Sequence, residues 1–367
     1  MIKLKYFPLQ LFLFLFLIDK IFLIPAVRKQ VVQNYVNSYD LLNQYNDKLY
    51  TEYLKTTALK QSKSETDIQS ETVMFFGTSR SAGYAELSDN FYKDNPFIKD
   101  KNTSKIPVTS WSIKAAPFIH VFQIYNHYIQ TYPMPKLIVL EINHASFNKN
   151  NVFKEKKDIY DFTWEQFFEN HKEFSLSDKI EYISNMIFVL NKSKINFKNI
   201  FKANTDANVN ETLEFIINAK KLMDIGSKEN LTWEHGEREG KESEGMKKGN
   251  ILNNNFVLTS FYQSYKTDIT AFNLFKKILR DAKGKKIPLI LYRPKTHILL
   301  RKETEFIREK EKIWLNKIQQ LAKESEILFL DFEETVPLKC DYFSDTSHMS
   351  KTCFPEIIEK IIESTKL

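Results

Sequence analysis

The chain opens on an almost unbroken apolar run, Phe7 to Ile18, which resumes after Asp19-Lys20 as Ile21 to Val27. At about 1.5 Å of rise per helical residue the two pieces together match the thickness of a bilayer. The pattern therefore predicts one N-terminal transmembrane helix, with residues 1–27 as a membrane anchor. The charged pair costs about 2.5 to 3.5 kcal/mol per group at a bilayer centre, and the leucines, isoleucines and phenylalanines before it offset that cost. Ile24-Pro25-Ala26-Val27 lacks small-x-small spacing and is followed by Arg28-Lys29, so the anchor reads as uncleaved. Lys3 and Lys5 nearly balance Arg28 and Lys29; the expectation is a cytoplasmic N-terminus with the rest of the chain outside.

Beyond the anchor, Tyr35, Tyr39, Leu42, Leu49 and Tyr53 recur at helical spacing, which predicts a stalk or packing helix within a helical stalk and linker over residues 28–70. Short apolar runs then alternate with helical patterns. The runs are Val73 to Phe76, Ile106 to Val108, Leu137 to Ile142, Ile287 to Tyr292 and Ile327 to Asp331; the helical patterns cover Phe118 to Tyr132, Ile269 to Ala282, Glu303 to Ala322 and the segment from Phe354. This alternation predicts an α/β fold, a doubly wound and mostly parallel sheet over residues 71–367, with functional loops at the carboxyl ends of its strands. Residues from about 148 to 265 break the alternation and read as a helical insertion. Its tract from Glu234 to Gly245 is almost free of apolar residues and reads as a mobile surface loop.

Composition adds limits. With 367 residues and 43% hydrophobic content the chain is long enough for a substantial core, and a net charge of +7 suits anionic headgroups or anionic envelope polymers. The lysines alternate with acids and form no arginine-rich tract, which argues against a nucleic-acid partner. The two cysteines, Cys340 and Cys353, match no zinc spacing, and no metal or cofactor is expected. They bracket Asp345 to His348, and either a bridge that staples this loop or two free thiols fits the spacing.

Two segments carry candidate chemistry. In Phe75-Phe76-Gly77-Thr78-Ser79-Arg80-Ser81, a strand ends in Gly-x-Ser before a helix, which exposes the Ser79 hydroxyl to the crevice and leaves its N–H available to an oxyanion. A helix N-cap would also explain a serine there, and Ser81 is the next candidate nucleophile. In Ser344-Asp345-Thr346-Ser347-His348, an aspartate three residues before a histidine can fix the imidazole tautomer so that the other nitrogen faces a serine. A helix start would explain the serines and Asp345 but not His348. His297, which follows a strand, is a fallback.

Gly77-Thr78-Ser79 and Asp345-x-x-His348 together resemble the first and last blocks of the SGNH (GDSL) hydrolase superfamily, over about residues 71 to 367 with the insertion unmatched. The segment Val139 to Phe147 is most similar to a bacterial group of membrane-anchored envelope proteins, related to the teichoic acid D-alanyl transfer protein and to alginate O-acetylation proteins. The resemblance implies Ser79, His348 and Asp345 as catalytic residues. It also implies an oxyanion hole built from the Ser79 N–H, the second-block N–H at Ala115 and the Asn143 side chain. The chain departs from the pattern at Ala115, where glycine is usual, at Glu141, again in place of glycine, and at Thr78, in place of aspartate.

These readings lead to one expectation: serine-dependent transfer of an acetyl or similar acyl group onto or from an envelope polysaccharide. The setting is the outer face of the bacterial inner membrane, beside a multi-spanning membrane acyltransferase. A carbohydrate or lipid esterase and a non-catalytic glycan-binding scaffold are the alternatives.

Overall fold

The computed structural model of the chain describes residues 7–21, 24, 38–87, 89–113, 116–151, 162–188, 236–262 and 264–366. They fall into two units, Met1–Gln44 with Ile159–Asp224, and Tyr45–Asp158 with Ile225–Leu367.

The second unit is built on strands β1 (Val73–Gly77), β2 (Val108–Ser112), β3 (Leu137–Glu141), β5 (Leu289–Arg293) and β6 (Phe329–Asp331), in the spatial order β2-β1-β3-β5-β6 with every pair parallel. Two short strands, β4 (Glu237–Arg238) and β7 (Tyr342–Phe343), form a separate antiparallel pair. The strand order reverses between β1 and β3, the point at which an open parallel sheet leaves a crevice beyond its carboxyl ends.

Period-two alternation places Val73, Phe75, Leu137, Val139, Ile290 and Tyr292 on one face, where they pack with Ile357, Ile358 and Ile361. The opposite face carries Phe76, which meets Tyr125 and Tyr128 edge-on. All five residues of β1, β3 and β5 are buried, as expected for strands covered on both sides. The fold is therefore α/β with a parallel sheet between helical layers.

The helices are α1 (Phe7–Ile21), α2 (Ser38–Gln61), α3 (Glu65–Glu71), α4 (Ser79–Ala82), α5 (Phe118–Thr131), α6 (Trp164–Asn170), α7 (Leu176–Ile187), α8 (Glu244–Val257), α9 (Ile269–Lys285), α10 (Ile298–Glu303), α11 (Arg308–Glu324) and α12 (Phe354–Thr365). Local chemistry sets their ends. Asp268 caps α9 by accepting from the Ala271 N–H, and Lys286 ends it in the left-handed region. Pro355 occupies the first turn of α12, where its missing N–H is harmless.

Of the two readings of the helix within residues 28–70, stalk or packing helix, the part of α2 from Tyr45 onward fits the second, since it belongs to the sheet unit. Tyr50 is buried, meets Trp111, Tyr128 and Tyr132 edge-on, and shares a 3.1 Å hydroxyl contact with Tyr128. Those aromatic contacts, invisible as partners in the sequence, draw the helix onto the domain. Within the insertion expected at about 148–265, Ile159–Asp224 groups with the first unit and the remainder with the sheet unit.

In the first unit, Phe162, Phe167, Phe174 and Tyr182 are buried, with the Phe167 and Tyr182 rings stacked at 4.0 Å. Helix α7 turns Asp178, Tyr182 and Asn185 inward, while Leu176, Ile180, Ile183 and Ile187 are exposed. Helix α1 exposes Leu9, Phe12, Phe14 and Leu17, and Lys20 pairs with Asp19 at 3.0 Å. No helix among the described residues is long and apolar enough to cross a membrane. The rest of the predicted anchor, apart from Ile24, lies outside the described residues.

The packing of α2 gives a direct test. Tyr50→Ala should lower unfolding free energy by about 3 to 5 kcal/mol in urea titration, the usual loss for a buried aromatic side chain. A loss of under about 0.5 kcal/mol, the size seen at surface positions, would return the helix to the status of a stalk.

Candidate active site

Ser79 lies one residue beyond the end of β1, after Thr78, as the first residue of α4. The N-cap position belongs to Thr78, which makes no side-chain cap hydrogen bond, so capping does not account for the Ser79 hydroxyl. That hydroxyl lies 2.7 Å from His348 Nε2, across 269 positions of sequence. His348 Nδ1 lies 2.9 and 2.8 Å from the two carboxylate oxygens of Asp345. With Nδ1–H donating to Asp345, Nε2 is left as the acceptor for the Ser79 O–H. The structure thus brings Ser79, His348 and Asp345 into one hydrogen-bonded line.

Asp345 is also fixed by the N–H groups of Ser347 (2.7 Å) and His348 (3.0 Å) and by the Ser347 hydroxyl (2.9 Å). Burial pushes its carboxyl upward, but the imidazole and the Ser347 donors outweigh burial and hold it down at about 2. The carboxylate is therefore charged near neutral pH.

The loop that carries this pair is closed in layers. Phe343 and Met349 form an antiparallel bridge, and Ser344 and Ser350 N–H groups donate to the carbonyls of His348 and Tyr342. Outside them Cys340 and Cys353 form a disulfide with Cα atoms 5.3 Å apart, which resolves the two readings of the cysteines. From behind, Asn253 Nδ2 donates to Thr346 Oγ1 at 3.0 Å and the His297 N–H donates to the Thr346 carbonyl at 3.1 Å.

The polar tract read as a mobile loop contributes to this bracing. From Gly236 onward it holds β4 against β7, with Arg238 on Asp341, Glu239 on Arg301 and Glu242 on His297. A tract without apolar residues is ordered here because its charges find partners. His297 is occupied in the same way. Its Nδ1 accepts from the Leu299 N–H at 3.1 Å and its Nε2 lies 2.7 Å from Glu242, so the fallback residue supports the loop from outside the Ser79 line.

Beneath Ser79 lies a group to which the sequence pattern assigns no role. Glu141, 2% exposed at the end of β3, accepts from the Thr78 N–H (2.9 Å), Thr78 Oγ1 (2.6 Å), Ser81 Oγ (2.6 Å) and Asn143 Nδ2 (2.8 Å). Tyr292 completes the chain, 2.6 Å from Ser81 Oγ; burial, Tyr84 and Glu141 push its hydroxyl well above the usual tyrosine range, so it stays a donor. Thr78 and Glu141, two of the departures from the motif pattern, are thus bonded to each other. The signal that could have found Glu141 is a lone acid inside an otherwise apolar strand. Gly77 makes room for it, since a Cβ there would lie 2.5 Å from Glu141 Cβ and 2.6 Å from Ser81 Oγ.

The remaining candidates divide. Ser81 is fully buried and engaged by Glu141 and Tyr292. Asn143 is buried; its Oδ1 caps the following turn by accepting from Ser146 N–H at 2.9 Å, and its Nδ2 donates to Glu141. Both bonds suit a residue that ends a strand and opens a turn. Ala115 lies outside the described residues. Among the described residues no group of three or more His, Cys, Asp and Glu is arranged to hold a metal.

These features define an α/β protein with a Ser-His-Asp arrangement at the carboxyl edge of its parallel sheet. A family model described as "Protein of unknown function (DUF1574)" matches residues 2–365, and the chain belongs to that family. No curated protein matches it.

Next to Asn143, His144 is buried against Tyr265, with ring centroids 3.9 Å apart, and neither ring nitrogen has a partner among the described residues. Burial lowers its pKa from 6.5 to about 3, and Arg293 and Lys310 add to the effect. The unfolded chain takes up this proton below about pH 6.5 while the folded chain does not. Stability should therefore fall by about 1.4 kcal/mol per pH unit over that window until about pH 3. His144→Phe should flatten the slope in urea titrations between pH 6.5 and 4.5; an unchanged slope would assign acid lability to other groups.

Proposed function

We propose that the protein is a serine-dependent acyl hydrolase or acyltransferase of the SGNH type, acting on an ester of an envelope glycan. The observation that carries this reading is the convergence of Ser79, His348 and Asp345. Both helix-start explanations of these residues leave the convergence without a cause.

In the proposed reaction, His348 Nε2 takes the proton from Ser79 Oγ as that oxygen attacks the acyl carbonyl, forming a new C–O bond. The carbonyl π electrons move onto oxygen. The Ser79 N–H, which as the first of a helical turn has no intrahelical acceptor, is one donor for that oxyanion. Asn143 keeps a second Nδ2 hydrogen beyond the one given to Glu141, and the Ala115 N–H is the third proposed donor. When the carbonyl re-forms, the bond to the leaving alkoxide breaks and His348 returns the proton to it. Water or a glycan hydroxyl then takes the acyl group from Ser79 by the reverse steps. Asp345 holds the imidazole tautomer and stabilises the imidazolium.

A membrane setting is part of the proposal. The apolar surfaces of α1 and of the outer face of α7 support attachment to the bacterial inner membrane with the Ser79 unit outside it. A multi-spanning membrane acyltransferase is the proposed partner. The engagement of Asn143 by Ser146 and Glu141 favours a second reading, a non-catalytic subunit that holds a glycan in the crevice.

A fluorophosphonate probe separates the two readings. The wild-type protein should label at Ser79, and Ser79→Ala and His348→Ala should each abolish labelling with Tm within a few degrees of wild type. A folded wild-type protein that does not label would leave the glycan-holding reading. The membrane assignment is tested in cells: the full chain should stay in the membrane pellet after high-salt and carbonate washes, and its release by either wash would remove the anchor from the proposal.

A further inference from the structure

The observations beneath the nucleophile reach further than the three residues in line. Glu141 comes from β3, while Thr78 and Ser81 flank Ser79 on the turn that leaves β1. Both Thr78 bonds end on this one side chain, the N–H on Oε2 and the hydroxyl on Oε1. Thr78 is thereby held extended, with φ −104° and ψ −161°, and the helical turn starts at the next residue. Ser81, one turn on, is held by the same carboxylate. Ser79 lies between two residues clamped to one buried group, so its Cα–Cβ direction is fixed relative to β3 before any substrate arrives.

We propose that Glu141 is a positioning residue for Ser79: its carboxylate clamps Thr78 and Ser81 so that Ser79 Oγ meets His348 Nε2. This rests on Ser79 acting as the nucleophile. The role needs a group that accepts through both oxygens, because four donors converge on them. A carboxamide in its place presents an NH2 to the donors of one side and breaks the clamp without changing volume. Thr78 is the weaker arm: removal of its hydroxyl leaves its N–H on Glu141.

The test is the second-order rate of fluorophosphonate labelling, resolved into a maximal rate and a half-saturating probe concentration and counted per folded molecule. Wild-type labelling at Ser79 is the condition; if it fails, the nucleophile reading falls, a result distinct from any result on Glu141. Given wild-type labelling, folded Glu141→Gln should lose about 100-fold in maximal rate, the usual effect of an ångström-scale misplacement, with little change in half-saturation. Thr78→Val should lose about 10-fold in the same parameter. Lower Tm with per-molecule labelling within about twofold of wild type would make Glu141 a stability residue only and overturn the proposal. If Glu141→Gln does not fold, Thr78→Val decides alone: a rate within about twofold of wild type overturns the proposal, and a roughly 10-fold loss supports it.

Discussion

The Glu141 carboxylate, buried at the end of the central strand, is the interaction on which the site's geometry depends. Taking such a group out of water costs several kcal/mol unless its oxygens are satisfied. Here Thr78, Ser81 and Asn143 supply the donors, and each lies next to or within two residues of a candidate functional position. Removal of any arm leaves part of a buried charge unsatisfied, which is more costly than the loss of an ordinary hydrogen bond. The requirement extends to Gly77, whose missing Cβ is the space that Glu141 occupies. A single solvation constraint thus fixes the end of β1, the start of α4 and the turn after β3.

The other half of the site is fixed by different means. The loop with Asp345 and His348 contains no regular element, and loops of this kind owe their shape to what closes them. Here a disulfide, an antiparallel bridge, and contacts from Asn253 and His297 all converge on a short stretch of chain. α12 adds a further tie, since Glu356 accepts from the N–H groups of Lys339 and Cys340, both at 2.8 Å. Ser79 rests on the sheet and His348 on a stapled loop, and the 2.7 Å contact between them joins the two.

Much of this is legible in the amino-acid sequence, for reasons that are local. Burial on both faces makes β1, β3 and β5 continuous apolar runs, so their existence and their parallel arrangement follow from the pattern. The geometry of a strand followed by Gly-x-Ser, and of an aspartate three residues before a histidine, is set within a few residues, so Ser79, Asp345 and His348 are legible as candidates, beside the helix-start explanations that spacing leaves open. What the apolar pattern conceals are contacts made by polar and aromatic groups at a distance. The helical stripe of Tyr35, Tyr39, Leu42, Leu49 and Tyr53 does not single out Tyr50 or the rings it meets, and Arg238 and Glu242 read as solvated charges until Asp341 and His297 are beside them.

The sequence by itself determined the α/β class and the order of the five sheet strands along the chain, because these rest on periodicity; Ser79, Asp345 and His348 were candidates, from short-range spacing together with the family resemblance. Only the tertiary structure decided that Cys340 and Cys353 are bridged, that α2 from Tyr45 belongs to the sheet unit and that His297 and Ser81 are engaged elsewhere. It also decided that Glu141 lies under Ser79. These depend on which distant groups share one low-dielectric space, and a buried charge or ring takes its partners from whatever the folded chain brings within hydrogen-bonding or van der Waals reach.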